Sequence, residues 1–242
     1  AMKEELERQP NLDILQDTAT GLHMDTSGKP TVTGIELRAS GHVRAGAVIV
    51  TAGTFLRARM ISGEQTDEGG RAGDTADSRL SSSLADLGLR LKRFKTGTPP
   101  RINARTIDYG KLERQPGDPV AVPFSFMNDS ISIDPISCWM TYTNPRLHRF
   151  LRDRFGEAPD VNGQLESTGP RYCPSIETKI LRFAEKERHQ LYLEPESRRT
   201  HEVYINGLST SFSREVQDEM LRMIDGLESA QIIRYAYTIE YD

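Results

Sequence analysis

Residues 43–51 contain the unbroken apolar run Ala47-Val48-Ile49-Val50. Apolar residues that do not alternate suit a strand covered on both faces, the arrangement of an α/β sheet. This feature predicts an α/β fold. The run ends in Ala52-Gly53-Thr54, small residues that let another backbone or a ligand approach closely. No stretch approaches the roughly 18 apolar residues of a membrane span, and no basic-then-apolar start reads as a signal peptide. With 242 residues, 36% of them hydrophobic, the chain can bury a real core in one large or two ordinary domains. Its formal net charge of −4 argues against bulk nucleic-acid binding, so any such contact calls for a local basic patch. Cys138 and Cys173 are the only cysteines. They are too few for a disulfide scaffold, and a reducing, cytoplasmic setting is expected.

Residues 2–8 are charged and helix-compatible, stopping before Pro10, and residues 12–15 read as a short strand. Asp25-Thr26-Ser27-Gly28 is a turn signal between two hairpin arms, residues 19–24 and 31–38. Residues 62–79 read as loop. Leu80, Leu84, Leu87 and Leu91 then recur at helical spacing, with Gly88 as a stop. Residues 95–101 hold Gly97, Pro99 and Pro100, so a rigid, non-helical connection and a lobe boundary are expected there. Residues 118–144 read as strand-like and turn-rich. Asn144-Pro145 is a helix start, with Asn as cap and Pro in the first turn. Ile176, Ile180, Phe183 and Ala184 form an apolar helical stripe after Pro174. A strand at residues 190–193, a helix carrying Val216, Met220, Met223, Ile224 and Leu227, and a strand-like tail over residues 232–241 complete the prediction.

Among residues that could carry chemistry, Cys173 stands first. It precedes Pro174 at a predicted helix start, between Arg171 and Lys179. Unsatisfied N–H groups and nearby cations lower a thiol pKa, and the thiolate is the reactive form. The competing reading is a buried structural cysteine. Cys138, in a strand-like run without basic neighbours, reads as core. Arg90, Lys92, Arg93, Lys95, Arg101 and Arg105 form a basic run without an acid. It is either a phosphate-binding patch or a solvated surface. Gly69-Gly70-Arg71-Ala72-Gly73 could approach a phosphate. His23, His42, His148, His189 and His201 show no metal-ligand spacing, so no metal site is expected. Walker A, G-x-S-x-G and G-x-G-x-x-G motifs are absent.

Several stretches together resemble one family: Gly53-Thr54-Phe55-Leu56, Lys95-Thr96-Gly97-Thr98-Pro99-Pro100-Arg101 and the long segment Gly169-Pro170-Arg171-Tyr172-Cys173-Pro174-Ser175-Ile176-Glu177-Thr178-Lys179-Ile180-Leu181-Arg182-Phe183. Leu193-Glu194-Pro195-Glu196, Asn206-Gly207, Ser209-Thr210-Ser211 and Ile239-Glu240-Tyr241-Asp242 extend the match along the chain. The chain resembles the MnmG (GidA) family of FAD-dependent tRNA wobble-uridine modification enzymes. The resemblance implies an α/β fold: part of a glutathione-reductase-type FAD-binding lobe, residues 1–97, with an inserted mixed α+β second lobe, residues 98–242. It implies an enzyme that adds an aminomethyl or carboxymethylaminomethyl group to C5 of the wobble uridine of tRNA. FAD and NADH are the implied cofactors, methylene-tetrahydrofolate the one-carbon donor, and an MnmE-type GTPase the partner of a homodimeric, cytoplasmic parent with no membrane association. By position, Gly169 to Phe183 matches the family's NADH-associated segment, Cys173 its second functional cysteine, and Ala19 and Asp77 its backbone contacts to FAD.

Members of that family carry a Gly-rich FAD fingerprint and a helical region that docks the GTPase. Neither is in this sequence, so the chain is expected to be an internal segment of such an enzyme. Ser197 and Ala58 stand where the family usually has Gly, and Ser213 where it has Pro. Two alternatives remain open at this point: a folate- and FAD-dependent tRNA uridine C5-methyltransferase, and a non-catalytic RNA-binding module using the basic run.

Overall fold

The computed structural model describes residues 2–165, 167–170 and 174–242. The chain forms two compact units. The first comprises the chain up to Ala58, Gly69–Lys92 and Asp242; the second comprises Arg59–Glu68 and Arg93–Tyr241. No helix among the described residues is long and apolar enough to cross a membrane.

In the first unit, helix α1 (Met2–Arg8) is followed by β1 (Ala19–Asp25), β2 (Thr31–Leu37) and β3 (Gly41–Arg44), an antiparallel sheet in the order β1-β2-β3. The predicted hairpin is present. Its turn is fixed by the Asp25 carboxylate, which accepts the Ser27 amide at 2.9 Å. Helix α2 (Arg79–Asp86) packs beside β1, where the Ser83 hydroxyl accepts the Leu22 amide at 3.1 Å. The helix ends as its sequence signals: Gly88 takes φ +83°, and its amide returns to the Ala85 carbonyl.

Two predicted strands of this unit are not formed. Residues 12–15 have no regular structure, with Leu12, Ile14 and Leu15 exposed. Of the stretch 43–51, only the start lies in β3; residues 47–50 pair with no strand among the described residues, and Ile49 is 87% exposed. Both stretches have strand composition, but a strand also needs a hydrogen-bonded neighbour.

The second unit has two sheets. One contains β4 (Arg59–Ser62), β5 (Gln65–Glu68), β6 (Phe94–Thr98) and, from the chain's far end, β13 (Tyr237–Tyr241), in the order β5-β4-β13-β6. The other is built from β7 (Arg101–Asn103), β8 (Glu113–Gln115), β9 (Cys138–Tyr142), β10 (Gln190–Pro195), β11 (Glu202–Asn206) and β12 (Ile232–Arg234), in the order β12-β7-β11-β10-β9-β8. All neighbours in both sheets are antiparallel. Period-two burial selects the inward face: Leu191 and Leu193 on β10, Val203 and Ile205 on β11. Against it pack α3 (Pro145–Arg152) through Leu147 and Leu151, α4 (Ile176–Arg182) through Ile176 and Ile180, and α5 (Arg214–Leu221) through Val216 and Met220.

The predicted starts of α3 and α4 are found. Asn144 Oδ1 accepts the Leu147 amide at 2.9 Å, and Ser175 Oγ accepts that of Thr178 at 3.3 Å. The last helix is shorter than its apolar spacing suggests. Beyond Leu221, the amides of Met223, Ile224 and Leu227 bond three residues back, continuing the stripe as turns. The predicted loop 62–79 includes β5, and the predicted rigid connection 95–101 is largely strand β6. Residues 116–137 form no strand, and Phe124 and Phe126 stand fully exposed.

Candidate functional site

A cavity of about 800 Å³ lies in the first unit, bordered by Asp17 and Ala19 at the start of β1, by residues 48–52, and by Asp77 and Leu80 at the start of α2. The sequence-singled Ala19 and Asp77 thus line one cavity. Asp17 caps the facing turn, accepting the amides of Thr18 at 2.7 Å, Ala39 at 3.1 Å and Ser40 at 2.8 Å. The Ser40 hydroxyl and these amides hold its pKa down to about 2. The Asp77 carboxylate accepts Arg79 Nη2 at 2.8 Å and Arg38 Nη2 at 2.5 Å. Arg79 first, then Arg38, keeps it ionised far below the usual carboxylate range. Asp77 is therefore a fixed, already paired anion. Gly70 is closely packed: a Cβ on it would lie 2.5 Å from Phe55 Cγ, and its carbonyl accepts the Thr54 hydroxyl at 2.7 Å.

The second unit has a smaller cavity of about 200 Å³, lined by Lys95, Thr96 and Gly97 of β6, Asp160, Thr168, Ser209 and the segment around α4. Of the residues read as NADH-associated, Gly169, Pro170, Pro174, Ser175, Thr178 and Arg182 border it. Ile176, Glu177 and Ile180 lie beneath, fully buried, and Leu181 and Phe183 are exposed. Lys179 donates to the Gly207 carbonyl at 2.9 Å. Arg171, Tyr172 and Cys173 lie outside the described residues. The segment is anchored on both sides of them. The Lys95 amide bonds the Thr168 carbonyl at 3.2 Å, and the Ile176 amide bonds the Ser209 carbonyl at 2.8 Å.

A buried polar network underlies this cavity. One Glu177 oxygen accepts the Thr210 hydroxyl at 2.6 Å, the Ser211 amide at 2.8 Å and the Ser211 hydroxyl at 3.2 Å. Burial, and then the nearby Asp160 charge, push the Glu177 carboxyl upward. Asp160 is held by Lys95 Nζ at 3.4 Å and by the Thr238 hydroxyl at 2.8 Å.

A family model described as "Glucose inhibited division protein A" matches residues 1–242. The chain belongs to the GIDA family. Among curated relatives, a protein of Rhodopirellula baltica is 50% identical over 248 residues, covering 100% of this chain and 38% of the relative. A Bacillus subtilis relative is 45% identical over 241 residues, covering 100% and 38%. Both are named tRNA uridine 5-carboxymethylaminomethyl modification enzyme MnmG. The solved structure of Aquifex aeolicus GidA, form I crystal, is 41% identical with a TM-score of 0.90, covering 99% of this chain and 41% of that one. The chain therefore spans about 38% of the length of the curated relatives it matches. Its mixed α/β architecture is that of the GidA structures.

Other sequence-singled residues of the GIDA chain have structural partners. Arg93 faces Glu240 at 3.7 Å, and Lys95 Nζ donates to the Asp160 carbonyl at 2.9 Å. Arg101 donates to the Thr98 hydroxyl and to the Pro99 carbonyl at 2.9 Å, and its guanidinium sits 4.7 Å from the Tyr204 ring centre. Much of the basic run is thus fastened to the second unit. Cys138 is half-buried on β9 rather than in the core, and burial, with Glu194 adding, raises its thiol pKa. Among the described residues no group of side chains could hold a metal ion. Sequence reasoning missed Glu177 as a hub and the tilted ring pair His148 and His189, whose centres are 5.2 Å apart. Glu177 was detectable in principle: it follows Ile176 and precedes Ile180 by three, flanking the apolar stripe of α4.

Proposed function

We propose that this GIDA chain is part of a flavoenzyme that, with a GTPase partner of the MnmE type, adds an aminomethyl or carboxymethylaminomethyl group to C5 of the wobble uridine in tRNA. The observation that carries this reading is identity of 45–50% along the whole chain to relatives named for that modification. The parent enzyme works as a cytoplasmic homodimer, with FAD and NADH as cofactors and methylene-tetrahydrofolate as one-carbon donor. Residues 1–97 contribute to the FAD-binding lobe, and residues 98–242 form the second lobe with the NADH-associated segment Gly169–Phe183.

The residues of the first unit suit FAD. A cavity of about 800 Å³ is at the large end for ligand sites, roughly 300–1,000 Å³. Its wall includes Ala19, Gly21 and residues 48–52, combining small and apolar side chains with the polar Asp17, Thr18 and Thr51. Ala19 and the backbone of Asp77 would hold the cofactor, with the carboxylate of Asp77 kept on Arg38 and Arg79. The flavin supplies hydride and one-carbon transfer chemistry.

Cys173 supplies the thiol that the uridine needs. As thiolate it forms a bond to C6, and the C5–C6 π electrons move to C5, which becomes the nucleophile toward the one-carbon electrophile. Loss of the C5 proton and cleavage of the S–C6 bond restore the ring. Replacing Cys173 by Ser in the family-length enzyme is expected to lower modified-nucleoside yield by at least about 100-fold at unchanged flavin content, because Ser does not ionise near neutral pH. Cys138→Ser is expected to modify tRNA normally. Equal, near-normal yields from both variants would remove Cys173 from the mechanism, and a simple 5-methyluridine product would favour the methyltransferase reading.

A further inference from the structure

The Glu177 side chain is 0% exposed, within a helix turn whose neighbours Ile176 and Ile180 are apolar. A carboxyl is costly to bury unless it is hydrogen-bonded. Its Oε1 gathers three donors from the turn at Thr210 and Ser211. Its Oε2 has no hydrogen-bond partner among the described residues. The turn it grips is itself locked. The Ser211 hydroxyl accepts the Asp160 amide at 3.0 Å, the Ser211 carbonyl accepts the Gly63 amide at 2.7 Å, and Gln217 Nε2 holds the Phe212 carbonyl at 2.8 Å.

The described chain is fastened at a post on either side of residues 171–173. At the first, Thr168 bridges Phe94, the first residue of β6. At the second, the Ile176 amide meets the Ser209 carbonyl, and one residue on, Glu177 meets Thr210 and Ser211. The Ser175 side chain cannot make this link, because it is turned to the Thr178 amide as helix cap. We infer that Glu177 is a positioning residue: its buried carboxyl pins the first turn of α4 to the Thr210–Ser211 turn and so fixes the start of the helix that follows Cys173 in the sequence. The inference rests on the proposed role of Cys173 for its catalytic consequence, though not for the pinning itself. The upward shift of the carboxyl by burial and Asp160 fits a group that acts by hydrogen bonding and not as a free charge.

The test uses the family-length enzyme and two readouts: tRNA modification kinetics, and the alkylation rate of Cys173 by iodoacetamide followed by peptide mass spectrometry. Cys138 is the internal reference. Glu177→Gln keeps the acceptor oxygen and is expected to stay within about 3-fold of the parent in both readouts. Glu177→Leu removes the acceptor at similar volume. It is expected to lower kcat at least about 10-fold with KM for tRNA little changed, as a misplaced reacting group does. It is also expected to change Cys173 alkylation at least about 3-fold, with Cys138 unaffected, because thiol reactivity follows its electrostatic surroundings. Thr210→Val, which removes one donor and keeps the shape, is expected to move both readouts the same way by less, and it decides the matter if Glu177→Leu does not fold. Parent-like kcat and Cys173 alkylation in folded Glu177→Leu or Thr210→Val would overturn the inference. So would a Gln variant as impaired as Leu, because charge would then be the active property. If Cys173→Ser modifies tRNA normally while Glu177→Leu still alters Cys173 alkylation, the role of Cys173 fails and the pinning stands.

Discussion

Arg101 shows how a basic residue of the kind that draws nucleic-acid readings is used by the fold. Its side chain is 21% exposed, and its donors go to Thr98, to the Pro99 carbonyl and, at 3.4 Å, to Glu196. The Pro100 carbonyl accepts the Ile205 amide at 3.4 Å, whereas the Pro99 carbonyl is met by the Arg101 guanidinium, whose five donors suit several acceptors at once. Arg101→Ala is expected to destabilise the protein by about 2 kcal/mol, through lost charge-assisted hydrogen bonds and the stack on Tyr204. At roughly 2–4 °C per kcal/mol for a chain of this size, a melting curve resolves it. The salt dependence of tRNA binding by the parent enzyme is expected to stay the same in this variant. A log–log slope smaller by about 0.7–0.9 would instead place Arg101 on a phosphate. Arg105, whose Nε bonds its neighbour Asn103 at 3.3 Å, is expected to change stability by less than about 0.5 kcal/mol when replaced by Ala.

At the scale of the element, the parts legible in the sequence are those whose cause is local. The Asn144 cap, the helix start after Pro174, the Gly88 stop and the Asp25 turn depend on neighbours within four residues, and each was readable. What was illegible depends on a distant partner. Residues 47–50 have the composition of a buried strand but no neighbour to pair with among the described residues, whereas β5, written in polar residues, is a strand because β4 lies beside it. The candidate site divides the same way: the helix start after Pro174 follows from local rules, but the meeting of Glu177 with Thr210 and Ser211 spans more than thirty positions, |i−j| of 33 and 34. Gly226 offers an element-scale test. It takes φ +82°, and a Cβ there would lie 2.4 Å from Leu112 Cδ2. Strain and overlap act together, so Gly226→Ala is expected to cost more than about 2 kcal/mol in urea unfolding, whereas Gly28→Ala, with open space around it, is expected to be near neutral. Residues 120–127 form another. Phe124 and Phe126 are fully exposed in a stretch without regular structure, so chymotrypsin under native conditions is expected to cut there before it cuts β10 or β11. Cleavage starting in those central strands would contradict this ordering.

At the scale of the whole molecule, the core of the second unit encloses polar groups that make its stability depend on pH. His148 is 1% and His189 9% exposed. The Thr143 hydroxyl serves both, meeting His148 Nε2 at 2.7 Å and accepting the His189 amide at 2.8 Å, while His189 Nε2 has no hydrogen-bond partner among the described residues. Burial lowers the His189 pKa to about 4, and His148, Lys179 and Lys186 push it the same way while Glu185 opposes them. Burial and Arg152 lower that of His148. In the unfolded chain each imidazole takes up its proton near pH 6.5. Between that pH and about 4 the unfolded chain binds more protons at these positions than the folded one, so stability is full above pH 6.5 and falls as the pH drops toward 4. The paired carboxylates act lower: Asp17, Asp77 and Glu240, all shifted down, lose their contribution only as the pH falls below their ordinary range near 4. Glu177, shifted up, has the opposite sign and favours folding more at low pH than at neutral pH. The histidine contribution is isolated by His189→Gln, which stays neutral throughout. Urea unfolding from pH 7 to 4.5 is expected to show a shallower decline in the variant than in the parent, the difference reaching up to about 1.4 kcal/mol per pH unit, the slope of one displaced proton. Identical slopes would mean that His189 protonates in the folded protein as easily as in the unfolded one, and that the acid sensitivity of this unit has another source.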